Sequence, residues 1–257
     1  MRGKVPYALR RAKGNIIAGK IRRKDYLLMV KAVVFDLDGT LVDSAPDLNT
    51  AINKLLGEEG RRALALDEVI GMIGDGAVKL VERAFRATGG RRETESPEKL
   101  TARFLAFYEG HATDSTRPYP GVPETLALLR EQQWALGICT NKPEQATREV
   151  LHGLDLDRHF GAIVGGDSIA GVRKPDPRLL LAVIERLGAA PAEAVMVGDN
   201  ANDVQSARAA GVPVIIRAGG YTRVPTPELG ADAVIATFAE LPAVLDRVAG
   251  RRGRCED

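Results

Sequence analysis

The chain has 257 residues, 45% of them hydrophobic and 27% charged, which is the composition of a folded globular protein and excludes a fibrous or disordered one. Two cysteines exclude a disulfide framework and a cysteine-rich zinc site and fit a reducing cytoplasm, and no run approaches the roughly 18 apolar residues of a membrane span. The net charge of +2 hides an asymmetry: residues 1–31 hold ten Lys or Arg and one acid, so the remainder carries −7.

In chain order, residues 1–30 read as a dispensable basic extension without the apolar periodicity to dock, disordered by its composition, with Met29 as a natural start. The extension has no aromatics beyond Tyr7 and Tyr26 to interleave with nucleic-acid bases, no apolar core for a signal peptide, and none of the Ser or Thr of a transit peptide. Nucleic acid is not expected as a partner of the core, nor is a membrane.

From Lys31 onward, short apolar runs alternate with stretches of helical period, the pattern of a parallel sheet covered by helices on both faces. Strands are expected at Ala32–Phe35, Ala135–Cys139, Ala162–Val164, Ala194–Val197 and Val212–Ile216, with a sixth at Ala233–Ile235. Asp176 before Pro177 predicts a helix start closed at Gly188, and Asn202–Ala210 predicts another helix closed by Gly211.

The interval from Pro46 to Arg117 breaks the rhythm. It shows three helical stripes (Leu48, Ile52, Leu55, Leu56; Ala77, Leu80, Val81, Ala84, Phe85; Leu100, Phe104, Leu105, Tyr108) and no strand pattern, with Ser96 before Pro97 marking one helix start. The expected organisation is therefore α/β: a parallel-sheet core at 31–46 and 117–250, a helical insertion at 47–116, and a tail at 251–257.

Ligands of open parallel sheets bind beyond the carboxyl ends of the strands. There the first strand runs into Asp36-Leu37-Asp38-Gly39-Thr40, the second into Thr140-Asn141, and the fourth into Gly198-Asp199-Asn200-Ala201-Asn202-Asp203. Lys174 stands in "VRKPDP" ahead of a helix. Taken singly, each has an ordinary reading: a turn or cap aspartate, a helix-capping threonine, a solvated lysine. Together on one edge they describe carboxylates that repel unless a cation joins them, and hard oxygen ligands select Mg²⁺. His111, His152 and His159 read as surface or helix-end residues, and Cys139 as a small buried hydrophobe.

"DLDGTLVDS", Thr140, Lys174 in "RKPDP" and "GDNAND" resemble the four motifs of the haloacid dehalogenase superfamily from about Val30 to the C-terminal helix. Within it, "IGDGAVKLVERAF", "YPGVPETLALLR", "TNKP", "GGDS" and "GVPVIIRAGGYT" resemble the bacterial phosphoglycolate phosphatases. The resemblance implies a Rossmann-like parallel sheet of order 3-2-1-4-5 with an inserted helical cap. It further implies Asp36 as nucleophile and Asp38 as general acid and base, with Thr140, Asn141, Lys174 and a nearby N–H on the phosphoryl group. Mg²⁺ would be held by Asp36, the main-chain carbonyl of Asp38 and Asp199, with Asp203 orienting a metal-bound water or Lys174. The implied partner is a small phosphorylated metabolite, 2-phosphoglycolate first, and the protein a monomer or homodimer. Its carboxylate would be read by the amides of Ile73–Gly76 or by Lys79 or Arg83. A related sugar phosphatase, a phosphosugar mutase and a phospho-acceptor receiver domain are the competing readings. The helical insertion and Asp38 argue against the receiver.

Overall fold

A computed structural model describes residues 31–91 and 96–252; the basic extension, Cys255 and the end of the expected tail lie outside the described residues. The core is a six-stranded sheet of β1 (Ala32–Phe35), β4 (Ala135–Cys139), β5 (Ala162–Val164), β6 (Ala194–Gly198), β7 (Val214–Arg217) and β8 (Ala233–Ile235). Its order is β5-β4-β1-β6-β7-β8 with every pairing parallel, so the expected 3-2-1-4-5 order holds and the sixth strand extends it.

The alternation of β1 explains the layers. Val33 and Phe35 join one hydrophobic cluster, which includes residues of α5 (Val122–Glu131), α6 (Glu144–Gly153) and α9 (Leu241–Arg252). Ala32 and Val34 join the other, made by α7 (Pro177–Arg186) and α8 (Ala201–Ala209). Successive side chains point to opposite faces of a strand, so four consecutive apolar residues require cover on both sides. All four are fully buried.

The helix starts follow their capping chemistry. Asp176 accepts the Arg178 N–H at 2.9 Å with Pro177 opening α7, and Ser96 accepts from Lys99 to open α4 (Pro97–Tyr108). The fifth strand begins two residues later than expected. The Val212 N–H closes α8 on the Ala207 carbonyl, and Pro213 has no N–H to give to a ladder.

Between β1 and β4 the chain forms α1 (Ala45–Glu58), α2 (Leu66–Ile70), α3 (Ala77–Ala87) and α4. The helical stripes face inward: Ile52, Leu55, Leu80, Phe85, Phe104 and Tyr108 are all buried. The chain enters and leaves this cap through β2 (Val42–Asp43) and β3 (Arg117–Pro118), which pair antiparallel. Two residues a side carry no readable periodicity, so this small ladder was not expected from sequence. Among the described residues, no helix is long and apolar enough to cross a membrane.

Candidate active site

The carboxyl edge of β1, β4 and β6 gathers the polar groups. Asp36 follows β1, with its N–H on the Val197 carbonyl of the neighbouring strand at 2.9 Å. After it, the Leu37 carbonyl accepts N–H groups from Thr40, Leu41 and Val42, a turn tight enough to reverse the chain. Gly39 has φ +82°, and a Cβ there would stand 2.5 Å from Asp199 Oδ2. Glycine thus serves both the left-handed backbone and the close approach of the second carboxylate.

Asp199 follows β6 and is fully buried. It accepts from Thr40 Oγ1 at 3.0 Å, Asn200 Nδ2 at 3.1 Å and the Tyr221 N–H at 2.6 Å. Asp203, one turn into α8, reaches back so that its Oδ2 accepts the Asp199 and Asn200 N–H groups, while its Oδ1 accepts Lys174 Nζ at 2.7 Å. Both Asp203 oxygens are therefore engaged, one on Lys174 and the other on the turn after β6. Lys174 Nζ also lies 2.9 Å from Asp36 Oδ1.

The charges do not balance. One oxygen each from Asp36, Asp199 and Asp203 lies within 4.8 Å of the others, against the single Lys174 ammonium. Asp36 Oδ1 is buried and has no hydrogen-bond partner, its contact with Lys174 lacking hydrogen-bond geometry. Burial pushes the Asp36 pKa up to about 6, Lys174 pulling it down and Asp203 adding to the rise. Burial, Asp203 and Asp36 raise Asp199 well above the ordinary carboxylate value, against the Tyr221 and Thr40 hydrogen bonds. Burial disfavours the Lys174 ammonium, but Asp203 and Asp36 outweigh it and hold its pKa above normal. A buried set with two surplus carboxylates fits a hard divalent cation.

Asp38 is turned away from this set. Its Oδ1 accepts Ser44 Oγ at 2.6 Å, and Lys142 Nζ stands 3.1 Å from Oδ1 and 3.4 Å from Oδ2. Lys142 also donates to the Tyr108 hydroxyl at 2.9 Å and lies 4.5 Å from the centre of that ring. Asp36, Asp38, Thr140, Asn141, Lys142 and Tyr108 line one pocket, roofed by Leu48, Ile73, Gly74, Leu80 and Phe104 of the cap.

Thr140 does not cap α6; its Oγ1 accepts the Lys142 N–H at 3.2 Å. The Asn141 side chain is a brace: its Nδ2 donates to the Gly74 and Lys174 carbonyls and its Oδ1 accepts the Lys174 N–H. The 71–76 turn of the cap is held further by Arg223, which donates to the Gly71 and Ile73 carbonyls. Asp75 does not cap α3; it accepts Asn202 Nδ2 at 2.6 Å and pairs with Arg83 and Arg223. Lys79 is exposed on Glu82, and Arg83 is taken by Asp75 and the Met72 carbonyl.

Neither of the two cap cations expected to read a substrate faces the pocket. Lys142 does, and sequence reasoning passed over it although it stands two residues after Thr140 in "TNKP". Tyr108 reads from sequence only as the last member of an apolar stripe. Of the histidines none lines the pocket; His159 is buried at the end of the short helix Asp157–His159. Cys139 is fully buried, its thiol pushed up to about 12 by that burial.

Residues 30–211 match the family model of the haloacid dehalogenase-like hydrolases. The chain is 46% identical over 217 residues to the phosphoglycolate phosphatase of Rhodospirillum rubrum, covering 83% of this chain and 90% of that one. To the phosphoglycolate phosphatase of Caulobacter vibrioides it is 41% identical over 210 residues, 82% and 88% of the two chains. The crystal structure of a predicted phosphoglycolate phosphatase from Haemophilus somnus superposes with a TM-score of 0.79 at 30% identity, over 84% of this chain and 97% of that one. The fold and its acidic edge are those of a hydrolase, and the chain belongs to the haloacid dehalogenase-like hydrolases.

Proposed function

We propose that the protein is a Mg²⁺-dependent phosphomonoester hydrolase that works through an aspartyl-phosphate on Asp36, with 2-phosphoglycolate as its substrate. The observation that carries the reading is the carboxylate cluster: Asp36, Asp199 and Asp203 each place one oxygen within 4.8 Å of the others around the single Lys174 ammonium, and Asp36 lines the pocket. A carboxylate has two oxygens, so Asp36 can keep one on the cations of this cluster and turn the other to phosphorus. The substrate is supported by the names of the relatives that match over most of both chains.

Asp36 attacks phosphorus in line; the bond from phosphorus to the substrate's ester oxygen breaks as the bond to Asp36 forms. Asp38, beyond it on the same turn, gives a proton to the departing alkoxide. It then takes one from the water that attacks phosphorus and releases phosphate from Asp36. The Thr140 hydroxyl, whose oxygen already accepts the Lys142 N–H, keeps its own hydrogen for a phosphoryl oxygen. The Asn141 main-chain amide and Lys174 stand beside it as further donors. Mg²⁺ held by Asp36, Asp199 and the Asp38 carbonyl would neutralise the charge that these carboxylates and the phosphate bring together.

A monomer or homodimer in a reducing cytoplasm suits this chemistry and the buried Cys139 thiol. The test is release of inorganic phosphate from 2-phosphoglycolate, sugar phosphates and p-nitrophenyl phosphate with Mg²⁺ and with chelator. The expected result is metal-dependent release with 2-phosphoglycolate the best substrate. Preferred hydrolysis of a sugar phosphate would move the substrate, and isomerisation without release would make the enzyme a mutase.

A further inference from the structure

A phosphomonoester site must distinguish substrates by the part that is not transferred. In 2-phosphoglycolate that part is one methylene and a carboxylate, too small for apolar contact to decide. A cation reads a carboxylate most strongly, and the cations around the cap turn are committed: Lys79 to Glu82, Arg83 to Asp75 and the Met72 carbonyl, and Arg223 of the core to Asp75 and the carbonyls of Gly71 and Ile73. Lys174 is shared by Asp36 and Asp203. Among the described residues that line the pocket, Lys142 is the one cation.

We propose that Lys142, steadied by the cap's Tyr108, is the specificity residue that binds the anionic tail of the substrate. The inference rests on the phosphatase reading above and deepens it. Its geometry follows from Asp38. A group that protonates the leaving oxygen must touch that oxygen, and in 2-phosphoglycolate the carboxylate is one methylene further on. The ammonium that sits 3.1 Å from Asp38 Oδ1 is therefore within one methylene's reach of the tail.

Lys142 also has the capacity. An ammonium carries three N–H donors; they meet the Tyr108 hydroxyl at 2.9 Å, Asp38 Oδ1 at 3.1 Å and Asp38 Oδ2 at 3.4 Å, and the long third contact is the one a substrate carboxylate would replace. The Tyr108 hydroxyl, having accepted from Lys142, keeps its own hydrogen to donate to the same carboxylate. Lys142 is 6% exposed and Tyr108 2%, and apolar Leu48, Leu80 and Phe104 wall the pocket beside them. Such exclusion of water strengthens a charge-assisted hydrogen bond. Because Tyr108 ends cap helix α4 while Lys142 follows core strand β4, the reader forms only when cap and core meet, so tail recognition and closure are one event.

The experiment measures kcat/KM of the full-length enzyme with Mg²⁺ on three two-carbon phosphates: 2-phosphoglycolate, ethyl phosphate and phosphoethanolamine, with anionic, neutral and cationic tails. The wild type should rank them in that order. Lys142→Met should erase about tenfold to a hundredfold of the preference for 2-phosphoglycolate over ethyl phosphate, the range of a hydrogen bond to a charged group. Lys142→Arg should restore part of it. A merely structural role would lower all three substrates alike and leave the ratio in place. Should Lys142→Met fail to fold, Tyr108→Phe decides: it should raise KM for 2-phosphoglycolate several-fold more than for ethyl phosphate. An unchanged ratio in Lys142→Met, or in Tyr108→Phe where that variant decides, overturns this inference and leaves the phosphatase reading standing. A wild type indifferent to tail charge overturns the phosphoglycolate assignment and the tail reader together.

Discussion

Asp36→Asn should make the metal-free protein more stable while leaving it inactive. The substitution keeps the side-chain volume and removes one of three buried carboxylates that share a single ammonium. The Asp36 pKa rises from an ordinary 3.8 to about 6, chiefly because burial disfavours the charged form. A rise of that size corresponds to roughly 3 kcal/mol. The sign follows from linkage: with the folded pKa above the unfolded one, ionised Asp36 destabilises the native state in full above about pH 6, and the cost vanishes below 3.8, where both states are protonated. In chelator at pH 7.5, Asp36→Asn should therefore gain up to about 3 kcal/mol by urea titration, and the gain should shrink as the pH falls toward 4. Lys174 keeps Asp203 as its partner, 2.7 Å away, so no charge is orphaned. Adding Mg²⁺ should reverse the order, because ligand binding stabilises only the protein that binds it well. An Asp36→Asn protein less stable than wild type in chelator would refute the reasoning, since the Lys174 pairing would then outweigh the surplus of charge.

Further outcomes follow from the same geometry. Asp38→Asn should cost about 10² to 10⁴ in kcat on an alkyl phosphate, read as phosphate release, and less in the first half-reaction for a substrate with a good leaving group. Gly74→Val places a branched side chain at φ +111°, a strain on the order of 1 to 3 kcal/mol that unseats the turn from Asn141 and Asn202. It should raise KM for 2-phosphoglycolate and p-nitrophenyl phosphate alike, and a selective effect would return tail recognition to the turn amides. Cys139, fully buried with its thiol pushed up to about 12, should resist a thiol reagent at pH 8 in a Cys255→Ser background until denaturant is added.

The core was legible because its strands are unbroken apolar runs ended by acids, and the parallel order follows from alternation with helices. Asp36, Thr140, Asp199 and Asp203 could be placed on one edge for the same reason, each lying one residue past a strand or in the first turn of a helix, and Lys174 by its place in the loop ahead of α7. The β2–β3 ladder could not be read, since two residues a side have no period. Lys142 and Tyr108 escaped for another reason. Their pairing joins a core loop to a cap helix 34 residues away in sequence, and a tyrosine on an apolar stripe does not announce where its hydroxyl points. Asp75 shows the converse. It stands just before α3, yet besides Arg83 of that helix its partners are Asn202 and Arg223 of the core, which no local pattern encodes.

The central claim, that Asp36 carries the phosphoryl group, is tested most directly by acid-quenching the enzyme during turnover of 2-phosphoglycolate with Mg²⁺ and mapping the phosphorylated peptide by mass spectrometry. The account predicts an acid-stable, hydroxylamine-labile phosphoryl group on the peptide containing Asp36, absent from Asp36→Asn. Label on a different residue, or full turnover in Asp36→Asn, would contradict it.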